Sequence, residues 1–276
     1  MTKADIIAQI KRKRSFLCVG LDTDIKKIPD HLQKSNDAVF QFNKHIIDAT
    51  AKYCVAYKPN TAFYESEGLE GWENLEKTIH YIKTNYPQHL VIADAKRGDI
   101  GNTSKRYAKA FFEKLNADAI TVAPYMGFDS VEPFLGFDNK WVILLSLTSN
   151  SGSEDFQQLS LKDGHSLFET VVQKATTWAA SNQLMFVTGA TKPEMISKIR
   201  ALAPDYFFLV PGVGAQGGNL DAVAEAGLNN LIGLLVNASR SILYASSGED
   251  FATAAADEAS RLQKQMEIIL IKHQLI

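Results

Sequence analysis

The stretch Leu90-Val91-Ile92-Ala93-Asp94-Ala95-Lys96-Arg97-Gly98-Asp99 decides the fold. Its first four residues are apolar without a break, which is what a strand needs when both of its faces are buried in a parallel sheet. The run then gives way to Asp94, Lys96, Arg97 and Asp99, residues that a core does not choose. Seven other segments read the same way: 16–22, 54–60, 119–122, 142–147, 184–189, 206–212 and 231–238. With 90–96 they make eight candidate strands, most of them ending in Gly, Asp, Asn, Pro or Ser. Between them lie segments with apolar residues at helical spacing, at 36–52, 72–85, 103–115, 166–180, 193–202, 221–226 and 250–273. Strict alternation of strand and helix predicts a parallel sheet. Eight units in a chain of this length predict an α/β fold of the (β/α)8 TIM-barrel type, with residues 1–276 as a single domain.

Composition narrows the function. The chain has 276 residues, 46% hydrophobic and 22% charged, with 29 Lys+Arg against 31 Asp+Glu. That apolar content excludes a disordered chain, and a net charge of −2 gives no support to a nucleic-acid or membrane-surface partner. Apolar stretches such as 141–145 are far too short to cross a bilayer, and no apolar h-region follows the first five residues. A cytoplasmic location is the expectation. The basic run at 11–14 reads as the solvated end of an N-terminal helix. Cys18 and Cys54 sit in apolar runs without Cys-x-x-Cys spacing, and the six histidines are scattered. A transition-metal site needs such ligands in clusters, so chemistry is expected to rest on Asp, Lys and Arg.

In a barrel, function belongs at the C-terminal ends of the strands. There the chain places Asp22, Lys58 and the group Asp94, Lys96 and Asp99. Strand alternation puts Asp94 and Lys96 on one face, with Ala95 opposite, in a largely buried setting. Carboxylates and ammoniums alternating at short range hold one another ionised.

A second cluster is Pro211-Gly212-Val213-Gly214-Ala215-Gln216-Gly217-Gly218. It matches Gly-x-Gly-x-x-Gly, but the next strand ends Val236-Asn237-Ala238-Ser239-Arg240, without the acid that a dinucleotide ribose requires. A phosphate site fits instead. The loops after strands 7 and 8 are where this barrel binds phosphate, through backbone N–H groups at Gly214, Gly217 and Ser239 and the guanidinium fork of Arg240. The polar stretch 148–153, after the fifth strand, either reads the edge of a ring or is a plain connection.

Asp94-x-Lys96-x-x-Asp99, Lys58, Asp22, the 211–218 stretch and Ser239-Arg240 together resemble the orotidine 5′-phosphate decarboxylase family over essentially the whole chain. The length, the 148–152 loop and Val-Asn-Ala-Ser-Arg are most similar to its longer bacterial (type 2) branch. The resemblance implies conversion of orotidine 5′-phosphate to UMP and carbon dioxide in pyrimidine biosynthesis, without metal or cofactor. It implies Lys96 as proton donor to C6 and Asp94 beside the departing carboxylate. Lys58 and Asp22 would hold ribose hydroxyls, and Ser149 the pyrimidine. Gln216 and Arg240 would grip the 5′-phosphate, with Pro211 bordering the site. A homodimer is implied too, with Asp99 and Thr103 reaching in from the partner. Ser151 departs from the proline common in the family's loop. Two alternatives stand beside this reading. One is a magnesium-dependent sugar-phosphate decarboxylase, aldolase or epimerase on the same barrel, which wants further carboxylate or His ligands at strand ends. The other is a non-catalytic phosphometabolite-binding module.

Overall fold

In a computed structural model that describes residues 1–35, 37–212 and 219–276, every one of the eight apolar runs forms a strand. They are β1 (Leu17–Gly20), β2 (Ala56–Lys58), β3 (Leu90–Arg97), β4 (Ala119–Val122), β5 (Trp141–Leu147), β6 (Leu184–Thr188), β7 (Phe207–Pro211) and β8 (Leu234–Ala238). All pair in parallel and in chain order, and β8 returns to β1 through Leu17↔Val236 and Cys18↔Asn237. The barrel is therefore closed, and the chain is a single-domain (β/α)8 fold.

Burial explains why the strands read as near-continuous apolar runs. Every residue of β1, β2, β4, β6 and β8 is buried, because each strand has the barrel interior on one side and helices on the other. Cys18 and Cys54 are both buried free thiols in this core. The helix Phe251–Lys272 buries Ala255, Ala259, Leu262, Met266 and Ile269, the positions its spacing marked, and packs on the helix Ala38–Thr50. Local signals set several helix starts. Thr2 and Asp5 cap Lys3–Lys13 reciprocally, Ser166 and Glu169 do the same for Leu167–Trp178, and Pro193 opens Pro193–Leu202.

Three local expectations are corrected. The helix Phe128–Leu135 was not expected, because it is short and contains Pro133. The segment predicted at 103–115 is the helix Gly101–Lys109 followed by a π-helical turn, Ala110–Lys114. The basic run at 11–14 is not solvated throughout. Lys13 turns inward and donates to the carbonyls of Ala51 and Cys54, with its Nζ 2.6 Å from His89 Nε2.

Candidate active site

β1, β2 and β3 deliver the charged residues to one end of the barrel. Lys58 is the last residue of β2 and Asp94 the fifth of β3, and both are buried. Backbone hydrogen bonds fix Asp94 against the neighbouring loop, its N–H donating to Pro59 and its carbonyl accepting from Thr61. Asp22 follows β1, and its Oδ2 accepts from Ser239 Oγ, beyond the end of β8, at 2.9 Å. Gly20 makes this approach possible: a Cβ there would lie 2.7 Å from the Ser239 Cβ.

The four side chains form an alternating row. Lys58 Nζ lies 3.6 Å from Asp22 Oδ1 and 2.9 Å from Asp94 Oδ2, and Lys96 Nζ lies 2.6 Å from Asp94 Oδ1. Burial alone would push the Lys58 ammonium down, but Asp22 and then Asp94 outweigh it and raise its pKa above the ordinary range. Burial would likewise raise Asp94, and Lys58 followed by Lys96 overturns that, holding the carboxyl well below the usual carboxylate range. Lys58 and Asp94, at the centre of the row, are thus each held in the charged form.

Lys96 differs from the expectation of a buried side chain. Its side chain is 49% exposed, against 4% for Lys58 and 10% for Asp94. The reason lies in the backbone. Pairing runs regularly to Ala93↔Ile120 and resumes at Arg97↔Val122, so β3 spends four steps where β4 spends two. Within this irregularity Lys96 adopts φ +45°, which breaks the alternation and swings its side chain to the mouth.

A cavity of about 240 Å³ opens beside the row, lined by Asp22, Lys58, Asp94, Lys96, Pro211, Ser239 and Arg240 among others. Three polar side chains in the lining were not singled out from the sequence: Asn60, Thr121 and Asn237. Thr121 and Asn237 are buried polar side chains inside otherwise apolar strands, and that interruption is the signal that could have marked them. Asn237 Oδ1 is buried without a hydrogen-bond partner among the described residues.

Other expected site residues are not brought into this cavity. Ser149 is exposed on the loop after β5, lining a separate cavity of about 250 Å³ with Thr148, Asn150, Thr191 and Lys192. Gly189 permits that loop to pack closely, since a Cβ there would meet the Ser149 backbone N at 2.9 Å. Asp99 stands outside the row, its Oδ1 accepting from the Ile100 N–H, so the second carboxylate within one chain is Asp22. Thr103 is exposed on the helix Gly101–Lys109. Gln216, Gly214 and Gly217 lie outside the described residues. Among the described residues, no three His, Cys, Asp or Glu side chains form a group able to hold a metal, and no helix is long and apolar enough to cross a membrane.

Comparison with known proteins bears on this geometry. Residues 15–255 match the model of the orotidine 5′-phosphate decarboxylase / HUMPS family. A Porphyromonas gingivalis protein named orotidine 5′-phosphate decarboxylase is 59% identical over 276 residues, covering all of both chains. One of the same name from Phocaeicola vulgatus is 58% identical over 270 residues, covering 98% of this chain and 99% of that protein. The structure of Leishmania donovani OMP decarboxylase superposes with a TM-score of 0.80 at 38% identity, covering 96% of this chain and 100% of that one. With its barrel, its row of alternating charges and these relatives, the chain belongs to the orotidine 5′-phosphate decarboxylase / HUMPS family.

Proposed function

We propose that this chain is a carboxy-lyase that converts orotidine 5′-phosphate to UMP and carbon dioxide in pyrimidine biosynthesis, acting in the cytoplasm without a metal or cofactor. The observation that carries the reading is the row Asp22–Lys58–Asp94–Lys96, acid and base alternating at the edge of a cavity, with Lys96 alone of the four exposed.

The chemistry follows from charge. Breaking the bond between C6 and its carboxylate releases carbon dioxide and leaves an electron pair on a vinylic carbon, for which the pyrimidine offers no conventional sink. An ammonium held beside C6 favours that state over the substrate, because negative charge gathers there only as the bond breaks. Lys96 then gives its proton to C6, and its exposure lets solvent return one. Asp94 holds the ammonium at 2.6 Å and sets a negative charge beside the departing carboxylate. Lys58 and Asp22 receive the ribose hydroxyls, and Ser149 reads the pyrimidine edge once substrate draws its loop in. Arg240 and Ser239, with Gln216, Gly214 and Gly217, hold the 5′-phosphate, and Pro211 borders the ring. The phosphate is remote from the reacting carbon, so its binding energy serves to position the substrate. The working unit is a homodimer, in which Asp99 and Thr103 enter the partner's site. The exposure of Thr103 and the separation of both residues from the chain's own cavity support that arrangement.

Lys96→Ala is expected to abolish carbon dioxide release while UMP binding stays measurable by calorimetry. Near-normal turnover in that variant would overturn the assignment. An assay with orotidine 5′-phosphate in excess EDTA separates this reading from the magnesium-dependent alternative, since loss of turnover on chelation would favour a metal enzyme.

A further inference from the structure

Thr121 stands in β4, is 1% exposed and faces the point where the ladder between β3 and β4 is interrupted. Its Oγ1 lies 2.8 Å from the Lys96 backbone N and 3.0 Å from Asp94 Oδ1. The direction of these two bonds is fixed by chemistry. A backbone N–H can only donate, so the hydroxyl accepts from Lys96, and its single hydrogen is left for the ionised carboxylate.

One hydroxyl therefore touches both ends of the functional pair. It receives the N–H of a residue held at φ +45°, a conformation that a non-glycine residue keeps only where its surroundings enforce it. It also supplies a donor to the same carboxylate oxygen that Lys96 Nζ contacts at 2.6 Å. In a regular strand the Lys96 N–H would turn to the same side as that of Asp94, toward β2, and its side chain would follow strand alternation. The irregularity turns that N–H toward β4 instead, where the hydroxyl receives it and so aims the ammonium at the mouth.

We infer that Thr121 is a positioning residue for decarboxylation, fixing the backbone of Lys96 and the carboxylate of Asp94 together so that the ammonium stands where C6 must be protonated. The inference rests on the reading of Lys96 as the proton donor. Thr121 has no part in phosphate or ribose binding in that reading, so its loss should fall on the chemical step and not on nucleotide affinity.

The test compares Thr121→Val, which keeps the shape and removes the hydroxyl, with Thr121→Ser, which keeps the hydroxyl, and uses Lys96→Ala as the reference. Misplacing a reacting group by about 1 Å can cost about 100-fold in rate, so Thr121→Val is expected to lower kcat by about 10- to 100-fold. Its KM and its affinity for UMP should stay within about twofold, and Thr121→Ser should restore kcat to within about threefold of the parent. Should Thr121→Val fail to fold, Thr121→Ala set against Thr121→Ser isolates the same hydroxyl. If kcat survives in Thr121→Val while Lys96→Ala is inactive, the inference is wrong and the proton-donor reading stands. A parallel loss of kcat and UMP affinity, or failure of serine to rescue, would make Thr121 a structural residue and equally overturn it. Activity retained in Lys96→Ala would remove both readings at once.

Discussion

Asp94 takes donors from three side chains, Lys58, Lys96 and Thr121, at 2.9, 2.6 and 3.0 Å. A carboxylate so held contributes stability that is fully present above its unfolded value, near pH 4, and is lost only as pH falls through its lower folded value. Activity between pH 5 and 9 should accordingly show no limb belonging to Asp94. Arg240 is a different kind of residue, exposed at the rim and first in the short helix Arg240–Leu243. Charge-assisted hydrogen bonds contribute about 1.5–3 kcal/mol, so Arg240→Ala is expected to raise KM by about 10- to 100-fold in steady-state kinetics. An unchanged KM would put the phosphate elsewhere. At this scale the sequence was legible wherever a charge interrupts an apolar run, which is why Asp22, Lys58, Asp94 and Lys96 were all found. The exposure of Lys96 was not legible. Alternation assumes a regular strand, and the irregularity depends on what β4 offers opposite.

The N-terminal helix Lys3–Lys13 is fastened to the N-terminal end of the barrel, away from the cavity, by a contact of unusual chemistry. His89 Nε2 stands 2.6 Å from Lys13 Nζ and 2.9 Å from the Ala51 carbonyl, and its Nδ1 lies 3.3 Å from the Tyr86 carbonyl. Burial, and then the neighbouring Lys13 charge, push the His89 pKa down to about 4. The unfolded chain takes up this proton near pH 6.5 and the folded one resists it until about pH 4, so stability falls as pH drops across that window. The loss amounts to on the order of 3 kcal/mol. Urea unfolding of the parent and of His89→Gln between pH 7 and 4 should therefore diverge, with the variant the flatter of the two. Parallel curves would mean that the folded and unfolded chains take up the His89 proton alike. Among elements, strands buried on both faces and helices with apolar residues at helical spacing were readable in advance. Phe128–Leu135 was hidden by its proline, and the inward turn of Lys13 by the basic company it keeps in sequence.

For the whole molecule, the alternation of elements pointed to a barrel, but only pairing between β1 and β8 establishes closure, and no local pattern encodes it. The same limit holds for assembly. If Asp99 completes the partner's site, mixing inactive Asp99→Ala and Lys96→Ala chains by co-refolding should restore about a quarter of parental activity. Random pairing makes half of the dimers mixed, and each mixed dimer holds one intact site. No recovery would place Asp99 in its own chain's site.

The hydrogen bond from Ser239 to Asp22 joins residues 217 apart in the sequence. Everything on the Asp22 side of the row leaves the ribosome early, and its counterpart emerges only when β8 has been made. Until then the first strand has an open edge and the cavity lacks a wall. Activity should thus arise late in biosynthesis and all at once, and a chain released before Arg240 would carry Lys58, Asp94 and Lys96 yet have no finished place to hold a substrate.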